Sequence, residues 1–225
     1  MSFFKEYFGE WLKVFDSTEF NKIFYQLNNL YKQKNMCPSL YRDVFKAFNI
    51  CKYNDCKIIF IGQEPYSQRD KATGLCFANK QEVKEDNYSP ILKVIKDACI
   101  DLHYPNNSII FDPTLEDWGR QGILLLNSAL TTEINKTGLH TMMWRPFISS
   151  FLKNFSDINP GIVYVLFGEQ AKTFEPYIKN GIILKEKHPA YYVKTNTDMP
   201  SNVFYKINTL ILNKYNERIN WFKTI

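Results

Sequence analysis

The chain of 225 residues lacks the patterns that identify metal-binding, secreted and membrane proteins. Its five cysteines are scattered without zinc-ribbon spacing, and its three histidines lie far apart. We therefore expect a reducing compartment, no structural metal and no disulfide framework. Charge interrupts the apolar stretch at the start of the chain, so the continuous core of a signal peptide is missing. No window is apolar enough to span a membrane.

Blocks of like charge, repeats and linkers are also absent from the sequence. The net charge of +5 permits contact with a polyanion without requiring it. Aromatic side chains such as Phe8, Trp11 and Phe15 recur at the spacing of a buried helical face. We therefore expect one domain over residues 1–225, in which residues 1–50 form a helical N-terminal part.

Four short apolar runs predict the strands of a sheet. They cover residues 57–61, 123–126, 162–167 and 182–184, and longer segments with helical spacing separate them. Continuous apolar runs between helices are typical of parallel strands that are covered on both faces. The predicted fold is therefore a single-domain α/β/α sandwich with a central, mostly parallel four-stranded sheet.

Each predicted strand leads into residues that suit a ligand site. The first run leads into Gly62 and the residues after it, the second into Asn127, the third into Gly168 and the fourth, after a charged stretch, into His188. In an open parallel sheet the ligand crevice lies beyond the carboxyl ends of the strands. Any one of these residues could simply cap a turn, but all of them at one edge favour a site.

Ordered motifs run from about residue 57 to the end of the chain. They read GQEPYS at 62–67, GLCF at 74–77, WGRQGILLLN at 118–127 followed by LT at 130–131, LH at 139–140 with Trp144 and Phe147, GEQA at 168–171, HP at 188–189 and INW at 219–221. In this order and with this spacing they resemble the landmarks of family 1 uracil-DNA glycosylases, whose first motif is usually GQDPYH.

The resemblance implies a pocket for a base that is flipped out of DNA. Phe77 would stack on the base, and Asn127 would read the uracil edge through its amide donor and acceptor. Tyr66 would crowd the C5 position of the ring and so exclude thymine. Gln63 would contact the pyrimidine through its backbone or side chain.

The resemblance also implies two catalytic residues, Glu64 and His188. His188 would donate to the uracil O2 atom as negative charge gathers on the leaving base. The sugar passes through an oxocarbenium-like state, and the Glu64 carboxylate would stabilise that cation and orient a water molecule. This reaction requires no cofactor.

Six residues would contact DNA around the pocket if the resemblance holds. These are Ser89, Pro90, Gly168, Pro189, Tyr191 and Tyr192. Tyr192 stands where a leucine of the family fills the gap left by the flipped base, and a tyrosine can wedge there as well. The expected partner is single- or double-stranded DNA that contains uracil. We expect the protein to act as a monomer and not to bind a membrane.

The chain departs from the family pattern at this same edge. Glu64 replaces an aspartate, and its additional methylene moves the carboxylate by more than about 1 Å, which can cost roughly a hundredfold in rate. Ser67 replaces a histidine that helps to hold the attacking water. Acidic residues in the segment 82–90, and Glu169, oppose the electrostatic attraction of phosphates. We therefore expect weak or lost activity and DNA binding that is weaker than is usual for the family.

Two functions remain open at this point. The first is an enzyme of base-excision repair that hydrolyses the N-glycosidic bond of uracil in DNA at a reduced rate. The second is a catalytically silent relative that binds DNA or a DNA-mimicking glycosylase inhibitor protein. Excision of another damaged base is a weaker third hypothesis, because Tyr66 and Asn127 both suit uracil. The expected location is the cytoplasm, or the nucleus or a viral factory if the source is eukaryotic or viral.

Overall fold

The structure, a computed structural model, describes residues 2–100 and 109–224. The helices are α1 (Ser2–Phe8), α2 (Ser17–Leu30), α3 (Lys46–Ile50), α4 (Pro90–Ile100), α5 (Glu116–Arg120), α6 (Thr141–Ile158), α7 (Gly168–Lys172), α8 (Pro189–Thr195) and α9 (Asn202–Tyr215). The strands are β1 (Met36–Cys37), β2 (Ile58–Gly62), β3 (Ile109–Ile110), β4 (Ile123–Asn127), β5 (Thr132–Glu133), β6 (Val163–Phe167), β7 (Ile182–Glu186) and β8 (Lys223–Thr224).

The central sheet has four parallel strands in the order β4-β2-β6-β7. Each of the four predicted runs forms one of these strands, with bounds that differ by one or two residues. Every residue of β2, β4 and β6 is buried. Strands that are buried along both faces require helices on both sides of the sheet. The predicted α/β/α arrangement with a parallel four-stranded sheet is therefore confirmed.

Aromatic side chains join the N-terminal helices to α6. Trp11 meets Phe48 edge to face with ring centroids 5.3 Å apart, and Phe48 meets Phe151 of α6 at 5.2 Å. Offset and edge-to-face contacts of this kind stabilise a core beyond the burial of area alone. The aromatic stripe that predicts helices near the N-terminus thus lies in the hydrophobic core.

The N-terminal part differs from a simple run of helices in two places. The helix α1 ends at Phe8 because Gly9 adopts a φ of +53°, and a 3-10 turn continues to Lys13. Farther along, β1 pairs antiparallel with β5, so that Met36 lies opposite Glu133. That pairing joins segments far apart in the chain, and local periodicity carries no signal for it.

The carboxyl ends of all four central strands lie at one edge of the sheet, because the strands are parallel. The register sets Gly62 at the end of β2 directly opposite Asn127 at the end of β4. The edge of the sheet is where the predicted site should lie.

Within the described ranges, no helix combines the length and the apolar character needed to cross a membrane.

Candidate active site

A cavity of about 200 Å³ lies at this edge of the sheet. Its lining includes all six residues predicted to bind or act on a base: Gln63, Glu64, Tyr66, Phe77, Asn127 and His188. They follow β2, β4 and β7 in the chain, and the parallel sheet brings those strand ends together. Their common location is a fact of the fold, and their individual roles stay predictions.

Gly62 makes room for two of these side chains. A Cβ atom at Gly62 would lie 2.7 Å from Oδ1 of Asn127 and 3.2 Å from Cζ of Phe77. Asn127 is only 5% exposed, and within residues 2–100 and 109–224 its amide makes no hydrogen bond. Buried amides normally have partners. The donor and the acceptor of Asn127 are thus both available to a ligand.

Phe77 has an unusual backbone conformation at the floor of the cavity. Its φ of +66° is left-handed, which costs a residue other than glycine roughly 1–2 kcal/mol. The ring is held by edge contacts with Phe167 at 5.1 Å and with His188 at 5.7 Å. Strained conformations of this kind tend to occur at functional sites. The strain at Phe77 is consistent with a ring fixed for stacking.

The segment after β2 is anchored through backbone groups. The carbonyl of Gln63 accepts hydrogen bonds from the Ser128 hydroxyl at 2.7 Å and from the Ala129 N–H at 3.1 Å. Oε2 of Glu64 accepts a hydrogen bond of 2.6 Å from the N–H of Gly138. The longer side chain of Glu64 thus has a fixed partner, supplied by the segment that follows β5.

The environment of Glu64 changes its acidity. Burial raises the pKa of the Glu64 carboxyl, and the hydrogen bond from the N–H of Gly138 opposes that rise. Desolvation disfavours the charged form of an acid, whereas hydrogen bonds to the carboxylate favour it. Burial has the larger influence, so the pKa of Glu64 lies above the ordinary glutamate value.

His188 is oriented by the helix that follows it. It is the N-cap residue of α8, and its Nδ1 accepts a hydrogen bond of 3.2 Å from the N–H of Ala190. An accepting Nδ1 places the ring proton of the neutral imidazole on Nε2. Burial lowers the pKa of His188, which favours that neutral form.

Gly168 leaves space for His188. A Cβ atom at Gly168 would lie 2.8 Å from Cβ of His188, and Gly168 has a φ of +84°. Both observations require glycine at the start of α7. Gly168, which the sequence assigns to DNA contact, is buried and makes room for the imidazole.

Comparison with known proteins decides the family of this chain. The profile of the Uracil DNA glycosylase superfamily matches residues 48–211. The chain belongs to this superfamily. The uracil-DNA glycosylase of Mycoplasmopsis pulmonis is 31% identical over 221 residues, which cover 94% of this chain and 96% of that protein. That of Clostridium perfringens is 33% identical over 214 residues, covering 90% and 91%.

Solved structures of glycosylases share the fold. The crystal structure of mimivirus uracil-DNA glycosylase has a TM-score of 0.75 with this chain at 21% identity, and it covers 98% of this chain and 92% of the viral chain. A variant of mimivirus UNG, crystallised in complex with UGI, has a TM-score of 0.72 at 21% identity, covering 93% and 89%. The resemblance read from the ordered motifs is therefore confirmed at the level of family and fold.

The residues predicted to contact DNA are divided between the surface and the interior of this glycosylase fold. Pro90 and Tyr191 are exposed, whereas Ser89, Gly168, Pro189 and Tyr192 are buried. Tyr192 is 7% exposed and donates a hydrogen bond of 2.7 Å to Oε1 of Glu186. Tyr191 is 43% exposed, and Nζ of Lys187 lies 3.8 Å from its ring centroid. Tyr191 thus presents an exposed aromatic ring one residue before Tyr192, the position that the motif aligns with leucine.

Acidic residues near the cavity are partly neutralised. Glu85 forms an ion pair with Lys96, and Glu169 forms one of 2.7 Å with Lys172. Glu82 and Asp86 are exposed, and neither forms an ion pair with any described residue. Lys96 lies on α4, so the fold brings its positive charge to Glu85 in the segment 82–90.

Sequence reasoning missed several residues of the site. Thr137 and Ile91 line the cavity, and the N–H of Gly138 binds the Glu64 carboxylate. Gly138 directly precedes the LH motif at residue 139, which could have drawn attention to this segment. Among the described residues, no group of three or more histidine, cysteine, aspartate or glutamate side chains is arranged to hold a metal ion.

Proposed function

We propose that this protein is a uracil-DNA glycosylase that hydrolyses the N-glycosidic bond of uracil in DNA. The observation that supports this proposal most is the meeting of three groups at one cavity. They are the free amide of Asn127, the neutral imidazole of His188 and the carboxylate of Glu64. A recognition amide, a hydrogen-bond donor for the leaving base and an anion for the sugar are the groups that this reaction uses.

Base selection rests on Asn127. Uracil presents an acceptor at O4 and a donor at N3, which match the amide N–H₂ and C=O of Asn127. Cytosine presents a donor and an acceptor in the opposite order, so a mismatched cytosine would leave buried polar groups unpaired. Phe77 stacks on the ring, and Tyr66 lies at the cavity wall where a substituent at C5 would collide with it.

Bond cleavage uses His188 and Glu64 in opposite electrostatic roles. When the bond between C1′ and N1 breaks, its electron pair passes to the base, and Nε2–H of His188 donates to O2 as that oxygen gains charge. The Glu64 carboxylate stabilises the positive sugar. Water then adds to C1′ and gives up its proton, for which Glu64 is the acceptor.

We expect this enzyme to be slower than its aspartate-containing relatives. The Glu64 carboxylate is one methylene farther from the backbone, and one of its oxygens binds Gly138. A displacement of about 1 Å at a reacting group can cost roughly a hundredfold in rate. Ser67 lines the same cavity where the family has a histidine, which removes one group that could hold the water.

We also expect weaker binding to DNA than is usual for the family, by a monomer. Glu82 and Asp86 are exposed close to α4 and oppose the approach of phosphates. The ion pairs of Glu85 with Lys96 and of Glu169 with Lys172 reduce this repulsion. The deficit should therefore be moderate and should shrink as the salt concentration rises.

The test is excision from a single-uracil oligonucleotide at high enzyme concentration. The wild type should release uracil slowly, and Glu64→Asp should cut at least as fast. Glu64→Gln, purified in the same way, reports any contaminating glycosylase. An inert wild type in excess enzyme would overturn the proposal. Rescue by Glu64→Asp would then locate the defect in one methylene.

A second candidate function is binding without excision. The structure of the mimivirus relative in complex with UGI supports it, because a protein of this fold binds an inhibitor protein through surfaces that a silent relative could retain. The discriminating measurement is binding of uracil-containing DNA, plain DNA and UGI over a range of salt concentrations. An enzyme should prefer uracil-containing DNA, whereas a silent inhibitor-binding protein should bind UGI and neither DNA.

A further inference from the structure

Tyr66 is held at the cavity wall by its hydroxyl group. The hydroxyl lies 3.1 Å from the carbonyl oxygen of Phe77 and 2.8 Å from Oγ of Ser89. A carbonyl can only accept, so the proton of the Tyr66 hydroxyl is donated to Phe77. The hydroxyl of Ser89 must then donate its own proton to the oxygen of Tyr66.

Ser89 has no proton left for any other acceptor. Its oxygen accepts a hydrogen bond of 3.2 Å from the N–H of Leu92, and the residue is 9% exposed. A serine hydroxyl has one donor and two acceptor sites. With its donor committed to Tyr66, Ser89 is poorly suited to the DNA-phosphate contact that the sequence assigns to it.

A second cavity, of about 80 Å³, is also bordered by Tyr66. Its lining includes Tyr66 and Ser89 together with Asp70, Lys71, Asn79, Lys80, Val83 and Asn87. Tyr66 lines the base cavity as well, so the residue borders both spaces. A residue that borders two cavities has fewer packing neighbours than a side chain in a close-packed interior. Phe77, by contrast, is held by ring contacts with Phe167 and His188.

We infer that Ser89 is a positioning residue for Tyr66, and that its hydroxyl sets the rejection of pyrimidines substituted at C5. The hydrogen bonds at the phenol resist the displacement of the ring into the second cavity. Without them, a substituent at C5 could push Tyr66 backwards and enter the base cavity. This inference rests on the proposed function, because it assumes that the base cavity receives uracil.

The test compares excision of 5-bromouracil and uracil from otherwise identical duplexes. Bromine is about as large as a methyl group, and 5-bromouracil is a better leaving group than thymine, so access to the cavity limits the reaction. Ser89→Ala should raise the ratio of 5-bromouracil to uracil excision by about fivefold to tenfold, as expected for loss of one hydrogen bond. Tyr66→Phe keeps the ring and loses both bonds, so its ratio should rise at least as far.

The matched control is Asp16→Ala. Ser89 caps the first turn of α4, and Asp16 caps α2 in the same manner, with its Oδ1 accepting from Thr18 and Glu19 at 3.0 Å. Both substitutions remove an N-cap and lower stability, but Asp16 lies outside both cavities. Asp16→Ala should therefore leave the excision ratio unchanged.

Several outcomes would overturn the inference. An unchanged ratio in Ser89→Ala and Tyr66→Phe would show that packing alone positions the ring. Ser89→Ala could instead weaken binding to uracil-containing and plain DNA equally and leave the excision ratio of 5-bromouracil to uracil unchanged. That result would identify Ser89 as a phosphate contact. If the wild type releases no uracil, the proposed function fails by itself. Crystal structures of wild type and Ser89→Ala with 5-bromouracil bound then decide the inference, since an unmoved Tyr66 ring in the variant contradicts it and a ring displaced toward Lys71 and Lys80 supports it.

Discussion

The cavity at the edge of the sheet and the side chains around it, a rim that includes Glu169, Lys172, Lys187 and Tyr191, are held in different ways. In the cavity, strand register and backbone groups position the side chains. Asn127 lies opposite Gly62 in the sheet, and the backbone N–H of Gly138 binds Glu64. At the rim, exposed side chains contact one another, as Glu169 does Lys172 and Lys187 does Tyr191.

This difference explains where the chain has diverged from its family. Ion pairs between exposed groups contribute little to stability, typically about 0–1 kcal/mol. Rim residues can therefore change charge or size without loss of the fold. The cavity depends on glycine space and register, which few substitutions preserve. Glu64 and Ser67 are the exceptions. The backbone N–H of Gly138 binds the longer Glu64 side chain.

The largest expected effect is on the rate of excision, and it distinguishes the carboxylate of Glu64 in the cavity from that of Glu169 at the rim. Glu64→Gln keeps the shape and an acceptor for Gly138 but removes the charge that stabilises the sugar cation. Excision should fall by about 10²–10³-fold, as for loss of one transition-state contact elsewhere. The matched change Glu169→Gln should alter single-turnover excision by less than about twofold. Similar rates for the two variants would contradict the division between cavity and rim.

Gly168 offers the next largest effect. A Cβ atom there would lie 2.8 Å from Cβ of His188, so Gly168→Ala should displace the imidazole and lower kcat/KM by about tenfold or more. Gly9→Ala is the control, because Gly9 also has a positive φ of +53° and no atom within 4 Å of the added methyl. It should lose only about 1–2 kcal/mol of stability, measured by urea unfolding, with unchanged kinetics.

The two neighbouring tyrosines of α8 sharpen the comparison at the rim. If an exposed ring fills the gap left by a flipped base, Tyr191→Ala should weaken binding of uracil-containing DNA by about tenfold, in the range of base–aromatic stacking. Tyr192→Phe loses the hydrogen bond to Glu186 and should lower stability by about 1 kcal/mol with little change in binding. If Tyr192→Phe weakens DNA binding and Tyr191→Ala does not, Tyr192, at the position aligned with leucine, is the residue that fills the gap.

The smallest effect concerns the pH dependence of excision. The proposed reaction requires an ionised Glu64, and burial raises the pKa of Glu64 above the ordinary value. Because a raised pKa keeps the acid protonated to higher pH, the rate should fall on acidification at a pH above the usual glutamate range of about 4.3. In the pH–rate profile of excision, an acid limb at or below the ordinary glutamate range would contradict the assignment of Glu64 to that limb.

Much of this arrangement could be predicted from the sequence. The four central strands are continuous apolar runs, because strands of a parallel sheet are covered on both faces. Such runs are readily detected in the sequence. Parallel pairing then places Asn127 and the residues after Gly62 at one edge. The antiparallel pairing of β1 with β5 could not be predicted, because its two residues per strand are too short to show a period.

The sequence by itself determined the α/β fold and the family of this protein, and it identified six of the residues that line the cavity at the edge of the sheet. These follow from apolar periodicity and from ordered motifs, which are properties of the chain read along its length. Only the tertiary structure decided that Gly138 holds Glu64, that Ser89 is committed to Tyr66 and that Tyr192 is buried while Tyr191 is exposed. Hydrogen-bond partners and burial depend on which distant segments meet, and no local pattern encodes that meeting.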